Sequence, residues 1–219
     1  MNKMTIWEGI FEEKPIVCRK IFSSEKWLKR CLDHLRTYRE KVEQDKNSLP
    51  PRQCILPNII GLIHAKRIVD WGGGSGWVWD FTKNSIVCDF VEEYLIIENK
   101  ELIELLKSQN LHDHPVSLTD EIKNRIETDV FYTNSTLQYV DDDEFLKVFG
   151  KIKSTILIFE DFLGNVNDFW TLQKYNDQQI PVKFRNVNKF IQLIRGYKYS
   201  LISSTPYCSI INKTISKLI

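Results

Sequence analysis

A short strand that empties into glycine is written at Ile68-Val69-Asp70-Trp71-Gly72-Gly73-Gly74-Ser75-Gly76. Arg67 to Asp70 is a brief apolar run of the kind that forms a buried strand. Gly72 to Gly76 are five small residues in succession, and a helix is expected from Trp77 to Phe81. A backbone without Cβ atoms can pass close beneath a ligand where a side chain would collide. The helix that follows offers free backbone N–H groups and the positive end of its dipole, which suit a phosphate and equally a carboxylate. Asp70, at the strand's end, either orders the loop or accepts from a ligand's ammonium group.

Strand and helix patterns alternate beyond this turn. Strands are expected at Tyr94–Glu98, Val116–Leu118, Asp129–Thr133 and Thr155–Phe159, and helices at Lys100–Ser108, Glu121–Ile126 and Asp142–Phe149. That alternation means βαβ units on a parallel sheet. Near the end, a helix from Val187 stops at Gly196, which suits a left-handed cap. Two strand-like runs follow, Tyr197–Ser203 and Tyr207–Ile211, separated by Thr205-Pro206. Strands this close have no room for a helical crossover and must pair antiparallel. The expected architecture is α/β and Rossmann-like: a mostly parallel seven-stranded sheet ending in an antiparallel hairpin.

The chain before the turn has a helical rhythm. Trp27, Leu28, Cys31, Leu32, Leu35, Tyr38 and Val42 fall on one stripe after the capping candidates Ser23 and Ser24. The pattern ends at Lys46–Pro51, a turn-rich break. Two parts are expected, an N-terminal helical extension or lid over 1–50 and a ligand-binding domain over 51–219. A length of 219 residues fits one full domain with an appendage. Hydrophobic residues make up 42%, enough for a core.

Composition narrows the partners. Thirty basic residues against 29 acidic give a net charge of +1, without the basic surplus that phosphate backbones call for, so nucleic acid is not expected. No apolar run is long enough to span a membrane. Cys18, Cys31, Cys54, Cys88 and Cys208 are scattered and lack the paired spacing of a zinc site, so they read as reduced thiols in a cytoplasmic protein with no metal. A homodimer is compatible with everything in the sequence.

Spacing separates the ligands a glycine turn can take. The dinucleotide fingerprint Gly-x-Gly-x-x-Gly needs a third glycine for close helix packing, but that position falls on Trp77 or Trp79. A phosphate loop would need Gly-Lys-Ser/Thr, and none follows. Val69 to Gly76 instead resembles the first motif of class I S-adenosylmethionine (SAM)-dependent methyltransferases. The wider chain resembles a bacterial group of that superfamily. The resemblance rests on Trp7-Glu8-Gly9-Ile10-Phe11, Ser135-Thr136-Leu137-Gln138-Tyr139, Phe169-Trp170-Thr171-Leu172-Gln173 and Gly196-Tyr197, in that order. It implies SAM as cofactor, with its methionine carboxylate over Gly72, Gly73, Gly74 and Gly76. It also implies methyl transfer to a small-molecule hydroxyl, with a sugar or glycan precursor as the suggested acceptor. A methyltransferase-fold binding protein without turnover is the alternative.

Further residues take roles around that turn. Glu98 ends the second strand, where a carboxylate accepts side by side from two ribose hydroxyls. Asp120 either binds an adenine amino group or caps a helix. Asn134 and Ser135 lie at the sheet's C-terminal edge, where open α/β sheets bind ligands. The candidates for proton removal are one of Glu160-Asp161, with Asp161 preferred, then Tyr139 and His114, with His112 behind them. Gln173 and Tyr175 are expected in a lid or substrate segment, and one or two of Trp7, Trp71, Trp77 and Trp79 in the pocket wall.

Overall fold

The computed structural model describes residues 7–17, 21–44, 55–175, 178–204 and 208–213. In chain order the first half runs β1 (Trp7–Phe11), α1 (Glu25–Gln44), α2 (Ile55–Ile63), β2 (Arg67–Trp71), α3 (Trp77–Ser85), β3 (Glu93–Ile97), α4 (Lys100–Ser108), β4 (Val116–Thr119) and β5 (Ile126–Asn134). The second half runs α5 (Asp142–Phe149), β6 (Ile152–Glu160), β7 (Gly164–Asn165), β8 (Phe169–Tyr175), β9 (Gln178–Asn186), α6 (Val187–Gly196), β10 (Tyr199–Ser204) and β11 (Cys208–Lys213). Short 3-10 turns sit at Ile21–Ser23 and Leu137–Tyr139.

Five strands run parallel in the order β6-β5-β2-β3-β4. β11 joins the β6 edge antiparallel, and β10 lies antiparallel beyond it. Strands covered on both faces need apolar side chains on both. Ile68, Tyr94, Ile96, Val130, Tyr132 and Ile158 face one core with Leu56 and Ile60 of α2 and Val78 and Trp79 of α3. Val69, Trp71, Phe131, Leu157 and Phe159 face the other, with Phe145 and Phe149 of α5 and Phe190 and Ile194 of α6. Asp70 breaks the rule: it is 1% exposed in the central strand.

The expected stripe of α1 packs inward through Leu32, Leu35, Tyr38 and Val42. Ser24 caps the helix by accepting from the Trp27 N–H at 3.3 Å. Arg39 reaches from α1 to buried Asp80 of α3 at 2.6 Å, and its Nη2 donates to the Leu111 carbonyl at 2.9 Å. Residues 7–11, inside the segment expected to be helical, are a strand. β1 pairs antiparallel with β8, β8 with β9, and β7 adds to β9, making a second, four-stranded sheet. This sheet packs Ile180 and Val182 against Ile21, Phe22 and Tyr139.

Two other expectations are corrected, and one helix had not been expected. Glu121 to Arg125 is a loop rather than a helix, and β5 already begins at Ile126. The left-handed residue after α6 is Lys198 at φ 66°, not Gly196. α2 was hidden by Pro57 and Gly61. Pro57 falls in its first turn, where the N–H that proline lacks has no intrahelical partner anyway. The break at Lys46–Pro51, the Thr205-Pro206 link, Cys18 and Cys54 lie outside the described residues. No described helix is long and apolar enough to cross a membrane.

Candidate active site

A cavity of about 660 Å³ opens at the C-terminal ends of β2, β3, β4 and β5. Its floor is the glycine turn. Gly72 and Gly74 line it, both in the left-handed region at φ 73° and 57°. A Cβ on Gly74 would meet nothing within 4 Å, so this residue faces open space. Gly73 and Gly76 serve the turn from below. A Cβ on Gly73 would come within 2.6 Å of the Asp70 carboxylate, and one on Gly76 within 2.7 Å of His112 and Ile96.

Glu98 stands beside the turn at the end of β3. Its Oε2 accepts from the Gly74 N–H at 3.2 Å, and its Oε1 accepts from the Asn99 backbone N–H at 2.8 Å. Burial raises its pKa, while those backbone donors pull the other way. Asp120, Asn134, Ser135 and Tyr139 also reach the lining. Ser135 and Asp161, both non-glycine residues at positive φ (55° and 49°), face each other at the ends of β5 and β6. Backbone of this kind concentrates at functional sites. The Ser135 Oγ lies 2.9 Å from the Asp161 Oδ2 and 2.9 Å from the Asn134 Oδ1. Its single hydrogen favours the charged acceptor.

Two buried acids lie under the site. Asp70 Oδ2 accepts from Tyr94 Oη at 2.7 Å, while its Oδ1 has no partner. Glu160 Oε2 accepts from Tyr132 Oη at 2.5 Å and from Asn134 Nδ2 at 3.3 Å. Burial pushes each carboxyl up to about 7, against the pull of its tyrosine donor.

No protein-family profile and no curated protein sequence matches the chain. Solved structures do match it. A Burkholderia thailandensis 1,6-didemethyltoxoflavin-N1-methyltransferase, crystallised with its substrate and S-adenosylhomocysteine, is similar over 94% of this chain and 95% of its own, at TM-score 0.56 and 14% identity. Human N-acetylserotonin methyltransferase in complex with SAM is similar over 90% of this chain and 60% of its own, at TM-score 0.59 and 10% identity. A SAM-dependent methyltransferase from Clostridium acetobutylicum is similar over 84% and 99%, at TM-score 0.51 and 12% identity. The fold is that of the SAM-dependent methyltransferases. At these identities the likeness is one of fold.

Within this methyltransferase fold, Gly72, Gly74, Glu98, Asp120, Asn134, Ser135 and Tyr139 meet at one cavity. Asp70 does not reach it. It sits beneath Gly73, in the loop-ordering position. Asp161 stands behind Ser135. His114 is not brought in: it is exposed just before β4, at the N-terminal end of a strand that runs parallel to β3, whereas the cavity lies at the opposite, C-terminal edge of the sheet. His112 is also taken up elsewhere. Its Nε2 donates to the Ser75 carbonyl at 2.8 Å, and burial lowers its pKa. Of the four tryptophans considered, Trp71 lines the cavity. Trp77 and Trp79 pack on the α2–α3 side, and Trp7 lies against Phe184 in the second sheet.

Reading the sequence missed Phe22, Trp27 and Ile180 as lining residues. Trp27 has the spacing of a core residue on α1, and only the fold of the chain before that helix turns it into a wall. Arg185 was missed too. It is 2% exposed, and its guanidinium donates to the carbonyls of Leu137 and Val140 (the latter at 2.7 Å). Among the described residues no group of three His, Cys, Asp or Glu could hold a metal.

Proposed function

We propose that this protein is a SAM-dependent methyltransferase acting on a small molecule. The observation that carries the reading is the open left-handed Gly74 with the Glu98 carboxylate 3.2 Å from its N–H. A space that a Cβ would fill lies next to a backbone donor and an acid. The Gly74 N–H is engaged by Glu98, so the ribose diol is left to the carboxylate's remaining lone pairs and the methionine carboxylate to the start of α3. Residues 51–219 form the cofactor-binding part in this reading, and α1 with the segment before it acts as the lid.

The roles divide along the cavity. Gly72 and Gly74 admit the amino-acid end, Glu98 takes the ribose hydroxyls, and Asp120 takes the adenine amino group. Asp70 lies beneath Gly73, where its carboxyl leaves no room for a Cβ in the turn. When bound, SAM supplies a methyl carbon already activated by its sulfonium. The chain's own work is to hold the acceptor in line, which is worth up to about 7–11 kcal/mol of barrier when alignment is good. It also has to remove a proton. Ser135, in contact with the cavity, passes that proton to Asp161 at its back. Tyr139 is held protonated by burial, which raises its pKa, so it serves as a donor and a wall rather than as the base.

The test is a titration with SAM and S-adenosylhomocysteine, followed by a methyl-release assay over candidate acceptors. Binding with turnover supports the enzyme. Binding with no product from any acceptor assigns the chain to the binding-protein alternative, and absence of binding overturns both.

A further inference from the structure

We infer that the end of the cavity walled by Phe22, Trp27, Tyr139 and Tyr175 is a slot for a flat, π-rich methyl acceptor, with the oxygen or nitrogen to be methylated on its ring edge. The inference rests on the methyltransferase reading and names its acceptor class.

Four aromatic side chains from four separate segments converge here. Phe22 comes from the 3-10 turn before α1, Trp27 from α1, Tyr139 from the turn after β5, and Tyr175 from the end of β8. None of the four is fully buried. They fix one another's planes. Phe22 meets Tyr139 at 4.9 Å between centroids and 65°, and Trp27 at 5.5 Å and 78°. The Arg30 guanidinium lies 4.9 Å from the Tyr175 ring and donates to its hydroxyl, so that ring is anchored from outside the cavity. Tyr139 Oη lies 3.4 Å from Gln173 Oε1. Rings held at steep angles present fixed walls, and aromatic partners gain from offset or edge contacts with such walls.

The polar inventory points the same way. The carboxylates of the lining, Glu98, Asp120, Glu121 and Glu144, come from the β3 and β4 ends and from α5, not from these four segments. A sugar carries hydroxyls around its whole rim, and each needs a partner once buried. The aromatic end offers two phenolic hydroxyls, one already accepting from Arg30, and the Trp27 indole N–H. A planar ring with a single edge heteroatom leaves far less unpaired. In the transfer step the acceptor's lone pair forms the bond to the methyl carbon. The carbon–sulfur bond breaks with its electrons kept by sulfur, giving S-adenosylhomocysteine. The acceptor's proton goes through Ser135 to Asp161.

The experiment titrates 4-hydroxyquinoline into the protein with and without saturating S-adenosylhomocysteine. Cyclohexanol and methyl α-glucopyranoside serve as non-aromatic controls. Phe22→Leu and Tyr175→Leu keep apolar bulk and remove the π faces. Saturable binding of hydroxyquinoline, about tenfold or more tighter than either control and about tenfold weaker in the leucine variants, supports the slot. S-adenosylhomocysteine affinity should stay within about threefold in both variants. Equal binding of cyclohexanol, preference for the glucoside, or unchanged affinity in both variants overturns it. Should the variants fail to fold, the Trp27 indole N–H resonance of the unaltered protein answers instead. It must shift with hydroxyquinoline and not with cyclohexanol, and the reverse or no shift overturns the slot. If S-adenosylhomocysteine itself does not bind, the cofactor reading fails separately, because the ligand-free titration still measures the slot.

Discussion

Gly72 and Gly74 share a left-handed backbone, yet a methyl group added at each meets different surroundings. At Gly72 it would lie 2.0 Å from Thr136 Oγ1 in the cavity wall, whereas at Gly74 it would project into open space. Gly72→Ala adds overpacking against Thr136 to the left-handed penalty and is expected to cost about 2–5 kcal/mol, a fall in Tm of about 4–20 °C. Gly74→Ala bears only the left-handed penalty of about 1–2 kcal/mol, but it should weaken S-adenosylhomocysteine about tenfold by occupying its place. Thermal melts and calorimetry on the two variants separate turn from ligand site. Asp70 makes a pH prediction. Burial holds its carboxyl near 7 in the folded chain, against a model-compound value of 3.8. Between those values the folded state binds the extra proton, so its contribution to stability is full below about pH 4 and is lost as pH rises through 7. Tyr94, Glu98 and Glu160 face it, and Glu160 adds the same slope in any Asp70 variant. Asp70→Asn cannot lose a proton. Its Tm should exceed that of the parent at pH 8, with the gap narrowing at pH 5; a constant gap would show that Asp70 is charged throughout.

The turn Leu137–Tyr139 is too short to hold itself, and a side chain from another sheet fixes it. Arg185 of β9 donates to Leu137 and Val140 at the two ends of the turn, and its Nε lies 3.2 Å from Asp142 Oδ1. Lys183 Nζ holds the other oxygen of Asp142 at 2.7 Å. Arg185 is a positioning residue for Tyr139. Arg185→Lys keeps the charge but cannot span both carbonyls. It should raise the Kd for 4-hydroxyquinoline about tenfold while leaving that for S-adenosylhomocysteine within about threefold. Equal losses for both ligands would mean that Arg185 only stabilises the fold. No local pattern in the sequence announces this residue, because its partners lie on a segment more than forty positions away. The same holds for the second sheet. β8 is half-buried, and its first partner, β1, pairs Glu8 with Leu172 across most of the chain. By contrast, β2, β3, β5 and β6 are covered on both faces, which forces compact apolar runs that can be read directly.

Among the described residues, a mostly parallel sheet has its C-terminal edge roofed by a smaller, mostly antiparallel sheet and the start of α1. The glycine turn, Glu98, Asp120 and the Asn134-Ser135 pair could be read from sequence because the βαβ alternation puts successive strand ends on one edge. The aromatic roof could not, since it depends on how chain segments before and after that alternation fold back over it. A ligand that joins the turn to the neighbouring strand end should stabilise the protein as a unit. At about 100 times its Kd, S-adenosylhomocysteine should add about 2.7 kcal/mol, raising Tm by about 5–10 °C. The decisive comparison is calorimetric titration of S-adenosylhomocysteine into the parent protein and into Glu98→Ala. The parent should saturate one site, and the variant should bind about 10–100-fold more weakly through loss of two charge-assisted hydrogen bonds. No heat with the parent, or equal affinity in both proteins, would contradict the assignment of this cavity to an adenosyl cofactor.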